Sequence, residues 1–233
     1  MLANKMGQLA IRAYTQHVLG MSLVKQADLP EGPKILAANH PTTTDPFYLL
    51  AVPEEPLTIL ITQMAFDAPV FGSYLHAAGH IPVVEGQGRE AFEAALARLQ
   101  AGGTIGVFPE GALSPREGGL GRGHTGAVRL ARMADVPIVP IGIHLSRKRV
   151  RYVETTYGER TAEARWYTSG PYAMTVGEAL WLDGDHEDRP YVRQQTQRLM
   201  EHIRGLAAVS RWRLASHSNR LSDSWATASA GSA

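Results

Sequence analysis

The sequence predicts an α/β fold: a single domain with a largely parallel or mixed sheet flanked by helices, led by an N-terminal amphipathic helix. Two observations carry that reading. Short apolar runs of strand length alternate with segments whose apolar residues recur at helical spacing. Glycine, proline and aspartate fall between them, where turns and helix ends need them. The length, 233 residues, fits one ordinary domain with a tail and suffices to bury a core.

Residues 3–19 read as the first helix. Met6, Leu9, Ala10, Ala13, Tyr14, His17 and Val18 recur at its period, and Gly20 is a natural stop. Residues 22–25 and 34–38 are strand-like. A helix start follows, with Asp45 as N-cap and Pro46 in the first helical position. Residues 57–61 read as a buried strand, 69–78 as a short helix ending at Gly79, and 81–84 as another strand. The clearest helix is 89–100, where Phe92, Ala95, Leu96 and Leu99 share one face before Gly102-Gly103. Then come a strand over 104–108, a long polar loop over 109–122, a helix over 124–134 and a strand over 138–143. A strand over 172–176 and a helix over 191–209 complete the pattern. The chain thus divides into an amphipathic helix (1–20), the domain proper (21–209) and a tail (210–233). That tail is rich in Ser and Ala, lacks a sustained apolar face and reads as frayed.

Composition removes several function classes. A formal net charge of +1 supplies no global field toward nucleic acid, so no nucleic-acid partner is expected. The absence of cysteine excludes thiol catalysis, disulfides and cysteine-bound zinc, and is compatible with a reducing cytosol. No run reaches the roughly 18 apolar residues of a membrane span. Arg12 and His17 interrupt any signal-peptide core. Gly118-x4-Gly123-His124-Thr125 approaches a phosphate-binding loop, but its lysine position holds His124. No metal site is expected.

Chemistry concentrates in two polar clusters, each after an apolar run. Asn39-His40-Pro41-Thr42-Thr43-Thr44-Asp45 follows 35–38 and sets a histidine five positions before a carboxylate. Phe108-Pro109-Glu110-Gly111 follows 104–107. Two such clusters at strand ends suggest one active site at the edge of a sheet. A histidine held by a carboxylate is a general base, which moves a proton off a hydroxyl or water. Each residue also has a plainer reading: His40 and Glu110 as loop residues, Asp45 as a helix start.

Together they match a family pattern. His40-x4-Asp45 and Phe108-Pro109-Glu110-Gly111, with Gly79-His80-Ile81-Pro82-Val83 and Val136-Pro137-Ile138-Val139-Pro140-Ile141, resemble the four ordered motifs of glycerolipid acyltransferases of the lysophosphatidic acid acyltransferase type. The resemblance spans about residues 34 to 180. It implies an O-acyltransferase that uses acyl-CoA or acyl-carrier protein as donor and a lipid hydroxyl as acceptor. It implies no further cofactor. His40 would be the base, Asp45 its orienting partner, and Pro109, Glu110 and Gly111 the block beside the acceptor. The expected location is cytoplasmic, peripheral to a membrane surface. Two alternatives stay open: an acyl-thioester hydrolase with water as acceptor, and a catalytically retired member that binds lipid or a membrane.

Departures from the pattern bear on the acceptor. The second motif ends in Val84-Glu85-Gly86 where the family commonly carries arginine. The third continues Ala112-Leu113-Ser114 without its arginine. A lysine that often precedes Thr-Gly is His124. Glu85 and His124 therefore stand at substrate-binding positions with altered charge. An acidic Glu85 would repel a phosphate, which points to a neutral or glycosylated acceptor unless Arg89, Arg116 or Arg122 substitutes. The run Arg147-Lys148-Arg149 with Arg151 reads either as a solvated connection or as a contact for anionic head groups or donor phosphates.

Overall fold

The structure, a computed structural model, describes the backbone of residues 2–157 and 160–230, and side chains except at 155–160, 162 and 217–230. Among the described residues, seven strands form the main sheet. They are β1 (Ser22–Lys25), β2 (Ile35–Ala38), β3 (Leu57–Thr62), β4 (Ile81–Val83), β5 (Thr104–Val107), β6 (Ile138–Leu145) and β9 (Tyr172–Val176). Between β6 and β9, a short 3-10 helix (Arg147–Arg149) leads into a hairpin of β7 (Arg151–Tyr157) and β8 (Arg160–Trp166).

The sheet order is β1-β9-β6-β2-β5-β3-β4. Its pairs are parallel except β6 with β9. The sheet is thus mixed and mostly parallel. Burial on both faces explains why strands such as Ile35–Ala38 read as unbroken apolar runs. Leu36 and Ala38 face one core layer with Leu49, Phe66 and Leu75 from α2 (Asp45–Leu49), α3 (Gln63–Phe66) and α4 (Phe71–Ala78). Ile35 and Ala37 face the other, with residues such as Leu99, Val128 and Ile203 from α5 (Gly88–Gln100), α6 (Gly126–Ala134) and α7 (Arg189–Ala230). This is the three-layer α/β arrangement that the alternation of elements predicts.

Two stretches differ from the sequence expectation. Residues 210–230 continue α7, which the sequence reading ended at 209. Fully buried Ser210 donates to Gly142 O at 2.8 Å, and the Arg213 guanidinium reaches Met174 O at 3.0 Å and Ser22 O at 3.1 Å. Polar docking, invisible to an apolar-periodicity reading, carries the helix past residue 209. The 151–166 hairpin was also unforeseen, because its charged strands carry no apolar alternation.

The first helix, α1 (Leu2–His17), sits with its polar side inward. Asn4 donates to Leu57 O at 3.0 Å and Ala78 O at 2.9 Å, while Gln8 donates to Pro53 O at 2.7 Å. Leu2, Met6, Leu9 and Val18 are 73%, 64%, 70% and 61% exposed. The apolar stripe therefore faces outward. Tyr14 behaves otherwise: half-buried, it packs on the core and donates its hydroxyl to Thr168 O.

Candidate active site

β2 ends near the centre of the sheet and releases residues 39–45 at its carboxyl end, where open α/β sheets place their ligand crevices. Asn39 fastens this loop to β6: its side chain donates to Ile143 O at 3.0 Å and accepts from Ile143 N–H at 2.7 Å. His40 comes next. Its ring stacks on Phe108 with centroids 4.1 Å apart and planes at 21°. Its Nδ1 lies 3.2 Å from Asp45 Oδ2.

Asp45 is fully buried, and four donors face its carboxylate. Oδ2 takes the Thr42 N–H at 2.6 Å as well as His40 Nδ1; Oδ1 takes the Thr42 hydroxyl at 2.6 Å and the Tyr172 hydroxyl at 2.8 Å. These bonds compensate the desolvation of a buried carboxylate. An ionised carboxylate only accepts, so the His40 proton is assigned to Nδ1 and Nε2 keeps a lone pair. Burial, then the adjacent Asp45 charge, pushes the Tyr172 phenol well above its ordinary range, which keeps it a donor. Asp45 is the first residue of α2, and Thr44 takes the cap position without a side-chain cap bond. The expected N-cap role is therefore replaced by bonds reaching back to Thr42 and His40.

The second cluster holds the first from behind. Glu110 is buried at the end of β5, and its Oε1 accepts the His40 N–H at 3.0 Å and the Ser114 hydroxyl at 2.7 Å. Oε2 accepts the Gly121 N–H at 2.5 Å. The Ser114 N–H returns to His40 O at 2.8 Å. Pro109 O accepts the His124 N–H at 2.7 Å, and a Cβ on Gly111 would lie 3.0 Å from the His124 ring. The fold thus gathers His40, Asp45 and Glu110 in one network, with Pro109, Gly111 and His124 against it. Glu85 sits in the exposed turn after edge strand β4, which β3 separates from β5. Among the described residues, no three His, Asp or Glu side chains gather as metal ligands.

Sequence reasoning missed Asn39, Thr42, Ser114 and Tyr172 as site residues. The first three lay inside or beside the motifs, and their polarity was the available signal. Tyr172 stands 127 residues from Asp45, and no local pattern connects the two.

Beside the site, Gly7, Ala10, Ile11, Phe47, Phe71, Tyr74 and Trp166 line an apolar groove of about 430 Å³ between α1, α2, α4 and β8. Phe47 belongs to the same short helix as Asp45.

A family model for acyltransferases matches residues 20–144, more than half of the chain. The chain belongs to the acyltransferase family. The matched segment contains both polar clusters, so this acyltransferase's dyad and Glu110 network fall inside its family region. Its fold is similar to that of PlsC, the 1-acyl-sn-glycerophosphate (LPA) acyltransferase of Thermotoga maritima. The TM-score is 0.59 and the identity 19%, over 84% of this chain and 79% of the other. No curated protein sequence matches this acyltransferase.

Proposed function

We propose that this acyltransferase moves an acyl group from an acyl thioester, carried by CoA or acyl-carrier protein, to a hydroxyl of a glycerolipid or related lipid. The observation that carries the reading is the His40–Asp45 pair, with Nδ1 turned to a buried carboxylate and Nε2 left as base. In the reaction, Nε2 takes the acceptor proton as the hydroxyl oxygen attacks the thioester carbonyl. The C–O bond forms, the C–S bond breaks, and the imidazolium returns its proton to the departing thiolate. Asp45 stabilises the imidazolium and fixes its tautomer. Glu110 positions His40 through the backbone N–H. The Thermotoga maritima protein acts, by its name, on 1-acyl-sn-glycerophosphate, and that lysolipid is the first acceptor to consider here.

Lipid access has its own support. The apolar groove accommodates an acyl chain, because its lining offers methylene contact close to the helix that bears Asp45. The outward stripe of α1 suits a peripheral membrane attachment. Among the described residues, no helix is long and apolar enough to cross a membrane.

The test is an assay of purified protein with an acyl-CoA series against lysolipids, glycolipids and water alone, read by mass spectrometry. Acyl transfer to a lipid hydroxyl is expected, and His40→Ala should lower it at least about a hundredfold while the protein stays folded. Release of free acid alone would make the protein a thioester hydrolase. A folded His40→Ala variant with near-normal turnover would remove the proposed base.

A further inference from the structure

A second cavity, of about 240 Å³, opens between the loop after β5, the end of β6 and helix α7. Asn39, Pro41 and Ser114 form part of its wall, so it adjoins the loop that carries His40. Five arginines line it: Arg116, Arg147, Arg165, Arg204 and Arg211. They come from four places in the chain, the β5–α6 loop, the 3-10 helix, β8 and α7, and only the fold brings them together.

Their compensation is thin. Glu163 bridges Arg116 at 3.2 Å and Arg165 at 2.8 Å. Arg165 also donates to Ser114 O at 2.6 Å, and Arg147 to Glu117 O. Arg116 lies 4.1 Å over the Tyr152 ring. Among the described residues, Arg204 and Arg211 enter no ion pair. Among the described residues, one carboxylate pairs with these five guanidinium groups, which leaves a strongly positive hollow. His144 in its wall registers that field: burial lowers its pKa, and Arg211 and Arg147 lower it further. Like charges gathered around one cavity repel unless an anion occupies it, and guanidinium forks match the oxygens of phosphate. The loop leaves room for Arg147, since a Cβ on Gly118, at φ +109°, would lie 1.5 Å from its guanidinium.

We infer that this arginine cleft binds a phosphate-bearing group of a substrate, so that anion recognition rests on α7 and the β6–β8 region instead of on the motif positions held by Glu85, Leu113 and His124. The inference builds on the acyl-transfer reading for the word substrate alone; the anion site itself stands on geometry. It replaces the expectation of a neutral acceptor only where the bound phosphate is the acceptor's. Of the three arginines considered as replacements, Arg116 lines the cleft, whereas Arg89 is spent on Glu93 at the exposed surface of α5. The same chemistry has two sources, the nucleotide phosphates of a CoA donor or the head phosphate of a lysolipid acceptor.

The experiment titrates the full chain at low salt with adenosine 3′,5′-bisphosphate, sn-glycerol 3-phosphate and inorganic phosphate, by calorimetry. The comparison is a double variant, Arg204→Gln with Arg211→Gln. Both positions are exposed, so the fold should persist, and circular dichroism checks it. If the pair proves unstable, Arg147→Gln replaces it. At least one probe should bind, and the double variant should weaken it about tenfold or more, with a flatter salt dependence. Bisphosphate binding with a raised KM for acyl-CoA assigns the cleft to the donor; glycerol 3-phosphate binding with a raised KM for the lysolipid assigns it to the acceptor. His40→Ala should bind the probes like wild type. If transfer activity is absent but arginine-dependent binding persists, the acyl-transfer reading fails and the anion site survives. Failure of all three probes to bind at millimolar concentration, or equal binding by the double variant, overturns the inference.

Discussion

Tyr172 donates its hydroxyl to Asp45 Oδ1 at 2.8 Å, joining the antiparallel strand β9 to the dyad at the end of β2. Tyr172→Phe keeps the ring, which packs edge-on against Tyr48 at 5.1 Å, and removes only the donor. Turnover should fall several-fold and stability by about 1.5–3 kcal/mol, the range for a bond to a charged group. Denaturant titration and kcat measure the two effects. An unchanged kcat would mean that the phenol has no part in orienting Asp45.

Asp45→Asn should damage both folding and catalysis. The sequence reading placed Asp45 as a helix N-cap, a role that Asn fills equally well, but the structure gives that position to Thr44. An amide oxygen can accept from some of the four donors, while the amide NH₂ must face at least one of them. A loss of about 2–3 kcal/mol is expected, with a drop in kcat of at least about a hundredfold. Thr42→Val separates the two, since it removes one donor and leaves the carboxylate. It should reproduce part of the stability loss with much smaller loss of rate.

Glu110→Gln tests whether that carboxylate acts through His40 or on the acceptor. Its oxygens already take the His40 N–H, the Ser114 hydroxyl and the Gly121 N–H. A positioning role predicts a lower kcat and a lower Tm at near-normal acceptor KM. A selective rise in acceptor KM with an unchanged Tm would return Glu110 to direct acceptor contact.

Stability should decline in acid through His80. This buried imidazole accepts the Ile59 N–H at 3.2 Å, and desolvation lowers its pKa to about 4. The unfolded chain, titrating near 6.5, binds the proton first. Folding free energy therefore begins to fall as pH drops below about 6.5 and stops falling on this account below about 4, for a total near 3 kcal/mol. His144, lowered in the same direction, adds to the trend. Urea titrations across that interval should show the slope, and His80→Asn should flatten it. A slope identical in the variant would place the acid sensitivity elsewhere.

The proposed membrane attachment rests on the outward stripe of α1. Met6→Gln with Leu9→Gln leaves the Asn4 and Gln8 anchors intact. Each lost apolar contact is worth about 1–2 kcal/mol, so vesicle partitioning should fall at least about tenfold without loss of fold. Sedimentation with anionic and neutral vesicles measures this. Equal pelleting of variant and wild type would exclude the stripe as the contact.

The sheet was legible because its central strands are short apolar runs buried on both sides, so Tyr172–Val176 and the neighbours of His40 stood out. The dyad was legible because its members lie on one short loop. The remaining parts act across sequence. Asn39 meets Ile143 over 104 residues, and the arginines of the cleft converge from four separate segments. The burial of Asn4 and Gln8 runs against the usual sense of an amphipathic helix: side-chain amides that satisfy backbone carbonyls can occupy an inward face as well as methyl groups can.

The strand that leads into His40 comes second in the chain but fourth in the sheet. During synthesis, β2 must wait for Thr104–Val107 and Ile138–Leu145 before either of its edges is paired. Tyr172, which completes the Asp45 shell, emerges later still, beyond the region shared with the family. A ribosome-bound chain stopped at residue 144 thus carries both polar clusters without the last donor that steadies them. Activity should appear late and abruptly as the chain lengthens, a timing set by long-range strand pairing.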